Sequence, residues 1–237
     1  VQKIKGFIYA AVSLMVIAGI VYGVNYTEDI EGDKKVIAGE NPYASPIDTS
    51  KSDMTKISID TFKKAIQKFN SQNLSFKSKF AEKLGLRSFV SSLTYEDKSV
   101  SDISVQELQR KANQNAAFEK AWITYSTKEY GVEIEAKEVD DFIKEHADQS
   151  DIPSHKNYAK ALGMTLEELN HDYDRDLYKK WVVWEKLRPK IVDKYDLKPE
   201  DFKHKGSTKD IPVEERNLNN KAISLYKQEV QTFMNNQ

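Results

Sequence analysis

Between Phe7 and Val24 the chain reads FIYAAVSLMVIAGIVYGV, eighteen residues without a charge. No other segment restricts the fold so severely. As a helix it would run roughly 27 Å, close to the hydrocarbon thickness of a bilayer. Lys3 and Lys5 precede it, and Glu28, Asp29 and Glu31 follow it. Lysine-flanked ends stay cytoplasmic. The expected arrangement is therefore a cytoplasmic stub (1–6), a single-pass transmembrane anchor (7–24) and an extracytoplasmic remainder. A cleaved signal peptide, giving a secreted product, is the competing reading. Its apolar core is usually about 7–15 residues and ends in a small-residue cleavage site. The nearest such site, Val21–Gly23, fits poorly.

Residues 25–55 contain GDKK, GENPYASP and DTSKSD, with no apolar period. Gly, Pro, Asn and Ser in such a run predict a flexible tether, spanning about 30 Å root-mean-square. The remaining 56–237 stretch is expected to be the folded ectodomain. With 39% hydrophobic and 11% aromatic residues over the whole chain, the sequence can build a core.

Every periodic segment after Lys56 is helical. Ile59, Phe62, Ile66 and Phe69 share one stripe, with Asp60 as the expected cap and Asn70 as the stop. Phe76, Phe80 and Leu84 recur at fours and lead to a stop at Gly85. The following RSFVSSL fits a continuation or a loop equally, and TYEDKSVSDI reads as irregular. Ser104 with Glu107 forms a capping box opening a helix of about seven turns that carries Leu108, Ala112, Phe118, Trp122 and Tyr125. Gly131 ends it in the left-handed conformation. Val139, Phe142 and Ile143 mark a short helix, and Pro153 to Gly163 another. A second capping box, Thr165 with Glu168, opens a long helix toward Tyr195, which Pro189 should kink or end. Pro212 starts a final helix presenting Leu218, Ala222, Leu225, Tyr226, Val230 and Phe233. The fold class is all-α.

The order of these joints resembles the N-terminal helical module of SurA-type and PrsA-type chaperones. The resemblance rests on Gly131, Val132, Ile134, Glu138 and Val139 in YSTKEYGVEIEAKEVDDFI, Tyr125–Ile143. It continues through Gly163, Thr165, Leu166, Glu168 and Leu169 in the stretch Asn157–Leu187. It covers Ser104–Tyr195 well and the flanks loosely. What it implies is an apolar crevice that cradles unfolded or partly folded exported polypeptides. Many relatives insert a parvulin-type prolyl isomerase domain before the closing helix. Here only about Asp196–Ile211 separates the two parts, so isomerase activity is not implied. Gram-positive relatives are commonly lipoproteins; without cysteine, this chain would use the transmembrane anchor instead.

The chemistry-bearing residues form no catalytic or cofactor motif. The chain lacks cysteine, which removes thiol catalysis and Cys-ligated zinc. Asp172, Asp174 and Asp176 mimic the opening of a calcium loop, but Leu177 and Val183 stand where glycine and glutamate are required. On one continuous helix these carboxylates would diverge, which predicts a solvated face. His146 and His155 could approach each other, without a third ligand at fixed spacing. Asp140 and Asp141 are adjacent on a helix and do not share a site. No metal, cofactor or catalytic residue is expected. Net charge −1 and five scattered arginines also argue against nucleic acid as a partner.

Large aromatics are the remaining candidates. Trp122, Tyr125, Tyr178, Trp181 and Trp184 gather on the two long helices and are the expected polypeptide-binding crevice. Trp122 and Trp181 lie centrally on the apolar stripe, where a core role competes, and Tyr178 and Trp184 lie slightly off it. The functional expectation is a non-enzymatic, membrane-tethered chaperone-like protein. The alternative is a bitopic scaffold in an envelope complex serving secretion, conjugation or the cell wall. Nothing in the sequence sets the oligomeric state.

Overall fold

A computed structural model of the protein describes residues 56–94, 96, 98–198 and 213–237, with side chains omitted at 213–216. The stub, the Phe7–Val24 stretch, the tether and Pro212 lie outside these residues. Among the described residues there are eight α-helices and no strand. None of those helices is long and apolar enough to cross a membrane.

The helices are α1 (Ile59–Asn70), α2 (Lys79–Thr94), α3 (Val105–Tyr130), α4 (Ala136–Phe142), α5 (Pro153–Leu162), α6 (Leu166–Glu168), α7 (Arg175–Lys194) and α8 (Val213–Asn235). Helix α1 packs on α2 and α5, and α2 packs on α3. The C-terminal half of α3 meets α7 and α8, while α4 lies on α7. Phe62, Ala65, Val90, Tyr158, Ala159 and Leu169 build the core beneath α1. Phe118, Trp122, Val183, Trp184, Leu187, Ala222 and Tyr226 build the core between α3, α7 and α8.

Local signals account for most helix ends. Ser104 Oγ accepts from Glu107 N at 3.3 Å. Glu107 does not close the expected box; it pairs with Arg110 and Lys111. The box at Thr165 is complete, with Glu168 N to Thr165 Oγ1 at 3.1 Å and Thr165 N to Glu168 Oε2 at 2.7 Å. Ser58, rather than Asp60, caps α1 through the amide of Thr61. At Gly131, φ is +60°, and the next amide, Val132 N, bonds back to Ser126 O at 3.1 Å while Gly131 N bonds to Thr127 O. The Gly131-to-Thr127 bond is the αL type of helix closure, and it swings buried Val132 into the α3–α7–α8 core.

Two expectations about helix limits are corrected, and one left open between a kink and an end is narrowed. Gly85 does not end a helix: α2 runs through it to Thr94. The glycine is there because a β-carbon would lie 2.7 Å from two atoms of the Phe76 ring. Pro189 does not end α7, which continues to Lys194. The helix opened by Thr165 is not continuous. It widens into a π-turn over Leu169–Tyr173, and Asp174 (φ −100°, ψ 7°) breaks it before α7 begins. In α8, Leu218, Ala222, Tyr226 and Val230 are buried as the stripe predicts, Ile223 is buried with them, and Leu225 is only half-buried.

Candidate functional site: an aromatic cradle closed by α8

Helices α3 and α7 cross so that Trp122 and Trp184 face each other, ring centroids 5.9 Å apart. Tyr226 of α8 completes a triangle with them, edge-on to Trp122 at 4.4 Å and 6.4 Å from Trp184. Its hydroxyl donates to the Trp122 carbonyl at 2.7 Å, and Trp184 Nε1 donates to Asn219 Oδ1 at 3.1 Å. Polar atoms on large aromatics usually find partners when buried: α8 supplies Asn219 for Trp184 and α3 supplies the carbonyl for Tyr226, while Trp122 Nε1 is buried without a hydrogen bond. Burial pushes the Tyr226 phenol far above its usual range, so it stays a donor. Lys180 lies over the Trp122 ring at 4.8 Å and pairs with Glu119 at 2.6 Å.

At one end the cradle is clasped by Glu229. Its carboxylate accepts from Tyr130 and from Tyr195 (2.5 Å), and pairs with Lys194 at 2.8 Å. Burial alone would raise this carboxyl, but the hydrogen bonds from Lys194, Tyr130 and Tyr195 hold it below the usual glutamate range. Burial and the bond to Glu229 push the Tyr130 phenol well up. One acidic residue of α8 therefore ties together the ends of α3 and α7.

The five expected crevice residues divide in two. Trp122 (0% exposed), Tyr178 (1%) and Trp184 (2%) are core side chains. Tyr178 belongs to a different cluster, with Val139, Phe142 and Val182 beneath α4, and its hydroxyl donates to Asn170 at 3.0 Å. Off-stripe placement predicted an open position for Tyr178 and Trp184; instead α4 and α8 pack against the sides left unassigned. Tyr125 and Trp181 remain half-buried, Tyr125 beside Phe233 at 5.1 Å and Trp181 against the α4 cluster. The structure thus joins Trp122, Tyr125 and Trp184 around Tyr226 and places Tyr178 and Trp181 elsewhere.

The acidic run DYDRD is not the solvated face that a continuous helix predicts. Because the helix breaks at Asp174, Asp174 and Asp176 converge on Arg87. Arg87 Nε reaches Asp174 Oδ1 at 3.1 Å, Nη2 contacts the same carboxylate, and Nη1 reaches Asp176 Oδ2 at 3.0 Å. Lys83 pairs with Asp176 and donates to the Tyr173 carbonyl at 2.6 Å. Arg87 and Asp174 are both sealed from solvent. Burial pushes the Asp174 carboxyl up against the pull of Arg87. Asp176, which takes both cations, stays below the usual range despite its burial. Two cations and two anions balance, leaving no charge free for a calcium ion.

His171 is gripped by Asp148 at 3.0 Å and Asp140 at 3.5 Å. His155 is buried without a geometric partner on either ring nitrogen, and His146 packs edge-on against Phe142. Among the described residues no group of three or more His, Asp or Glu is arranged to hold a metal. Asn219, Glu229 and Arg87 were not legible as site residues. Their partners lie 34 to 99 positions away in sequence, and no local pattern marks them.

The geometry defines an all-α bundle with a closed aromatic centre. Comparison with protein-family models, curated proteins and solved structures finds no match to the chain.

Proposed function

We propose that this protein is a membrane-tethered, extracytoplasmic, chaperone-like binder of unfolded or partly folded exported polypeptides, acting without catalysis. The observation that carries the reading is the Gly131 joint. A seven-turn helix ends in a left-handed glycine, buried Val132 follows, and the chain returns through α4, α5 and α7 to pack against the same helix. That order is what the resemblance to the SurA-type and PrsA-type module implies. With Trp122, Tyr178 and Trp184 in the core, client contact falls to the half-buried rim, Tyr125 and Trp181. Phe7–Val24 would hold this module at the membrane's outer face.

The closed cradle favours a second reading, a bitopic scaffold that binds one folded partner in an envelope complex. α8 already fills the apolar space between α3 and α7. The test is suppression of aggregation of an unfolded model protein by near-stoichiometric full chain, with photo-cross-linkers at Tyr125 and Trp181. Suppression with cross-links at the rim supports the chaperone. No suppression and no cross-link refutes it, and a single stoichiometric partner pulled down from membranes then supports the scaffold. Turnover of an X-Pro peptide is expected to stay at the uncatalysed rate.

A further inference from the structure

Formal charge is unevenly placed along the chain although its total is −1. Between residues 56 and 94, seven lysines and one arginine meet only Asp60 and Glu82. Between 128 and 151, nine acids meet only three lysines. The two segments sit on different parts of the fold: α1 packs on α2 and α5, whereas α4 packs on α7. The molecule therefore has a basic pole and an acidic pole.

At the basic pole, Lys83 and Arg87 are neutralised by Asp174 and Asp176. Lys63, Lys64, Lys68, Lys77 and Lys79 are different. All five are exposed, and none has a carboxylate partner among the described residues. Elsewhere on the surface some lysines are paired, as Lys137 is with Asp141, Lys186 with Glu138 and Lys194 with Glu229, and exposed Lys120, Lys144, Lys160 and Lys179 stand on different elements, whereas these five gather between residues 63 and 79. On α1, Lys64 and Lys68 are one turn apart, with Lys63 beside them, on the side opposite buried Phe62, Ala65 and Phe69. The stacked rings of Phe69 and Phe76, 6.0 Å apart, draw the following loop back against the end of α1. Exposed Lys77 follows Phe76 in that loop and exposed Lys79 opens α2, so the turn after α1 adds two lysines to the three on the helix.

We propose that this lysine face of α1 and the α1–α2 turn docks on an anionic lipid bilayer. Lysine ammoniums suit the diffuse field of a charged headgroup layer, which asks for no bidentate geometry. The acidic pole is repelled by the same field, so the module takes one orientation. Position in the chain favours a bilayer over other polyanions: α1 is the first described helix after the apolar Phe7–Val24 stretch, with residues 25–55 between them. A nucleic-acid face would call for arginine or stacking aromatics among the lysines, and this face has neither exposed. The inference goes beyond the proposed function and does not require a client.

The chain has no cysteine, so one introduced thiol is a unique label. Gln67→Cys lies on the lysine face and Glu145→Cys at the acidic pole, both exposed. Full chain carrying either donor dye is mixed with vesicles bearing an acceptor lipid, made of phosphatidylcholine alone or with about one-third phosphatidylglycerol. In the anionic vesicles, transfer from position 67 should exceed that from 145. The difference should vanish in neutral vesicles and at about 0.5 M salt. In K63Q/K64Q/K68Q the docking constant should fall roughly a hundred-fold, about five-fold per lysine. Equal transfer from the two positions in anionic vesicles overturns the proposal, as does the same difference in neutral ones. So does an oligonucleotide gel shift lost in the triple variant without any preference for anionic lipid. Retention by neutral vesicles reports the Phe7–Val24 anchor separately. If that retention fails, binding to anionic vesicles alone still reads the lysine face.

Discussion

Tyr226 and Trp122 are joined twice: the rings meet edge to face at 4.4 Å, and the phenol donates to the Trp122 main-chain carbonyl at 2.7 Å. The partners are 104 residues apart in sequence, so this one side chain fixes α8 to the middle of α3. Tyr226→Phe keeps the ring and removes only the hydrogen bond, which should cost about 1 kcal/mol. Tyr226→Ala also empties a sealed volume beside both tryptophans and should cost about 3–5 kcal/mol. Urea unfolding followed by circular dichroism checks both, with the tryptophan emission of the alanine variant shifted to the red. Equal losses in the two variants would mean that the ring contributes nothing.

Among the described side chains Arg87 is the one arginine sealed in the core, and it holds two carboxylates. Arg87→Met strands Asp174 without its counter-charge and should destabilise by about 3–5 kcal/mol. Arg87→Met combined with Asp174→Leu removes both charges and should recover most of that loss, because pairing buried ions gains little over apolar packing. A double-mutant cycle in urea reads the coupling. Additive losses in the double variant would show that the two residues act independently.

At Gly85 the usual helix propensity is reversed. Alanine at an exposed helical glycine stabilises by about 1 kcal/mol, but here the added carbon meets the Phe76 ring at 2.7 Å. Gly85→Ala should therefore destabilise by about 1–3 kcal/mol. Phe76→Leu in the same chain should bring part of it back by removing the ring. Thermal unfolding of the single and double variants checks this, and a stabilised Gly85→Ala would refute the steric account.

How far the sequence was legible follows from the range of each interaction. Ser104, Gly131, Gly163 and Thr165 act on amides or carbonyls within six residues, so their pattern in the chain announces the helix ends. Arg87 and Asp174 act across 87 residues, and no local pattern marks either as buried. Gly85 looked like a stop because the ring that demands it approaches from a loop nine residues earlier. The aromatic stripes showed which side of α3 and α7 is apolar. They carried no information about which element covers that side, and α8 and α4 turned an expected crevice into core.

Acid should weaken this fold in two separable windows. His155 is buried beside Asn170, Asp148 and Lys156, and burial lowers its pKa from 6.5 to about 4. The unfolded imidazole takes a proton near pH 6.5, whereas the folded one stays neutral until about pH 4. The unfolded state therefore binds more protons between these values, and stability falls as pH drops through that window, by about 3 kcal/mol in all. Glu229 behaves differently: its carboxyl is held below 4.5, so its contribution is complete above that pH and is lost only below it. His155→Leu should flatten the slope of unfolding free energy between about pH 4 and 6.5, leaving the lower window intact. Glu229→Gln should do the reverse, and should loosen α8 first, read as faster amide exchange in Leu218–Val230 than in α1. A His155→Leu variant whose pH profile matches that of the unaltered chain would show that another group, such as half-buried His146, sets the acid response.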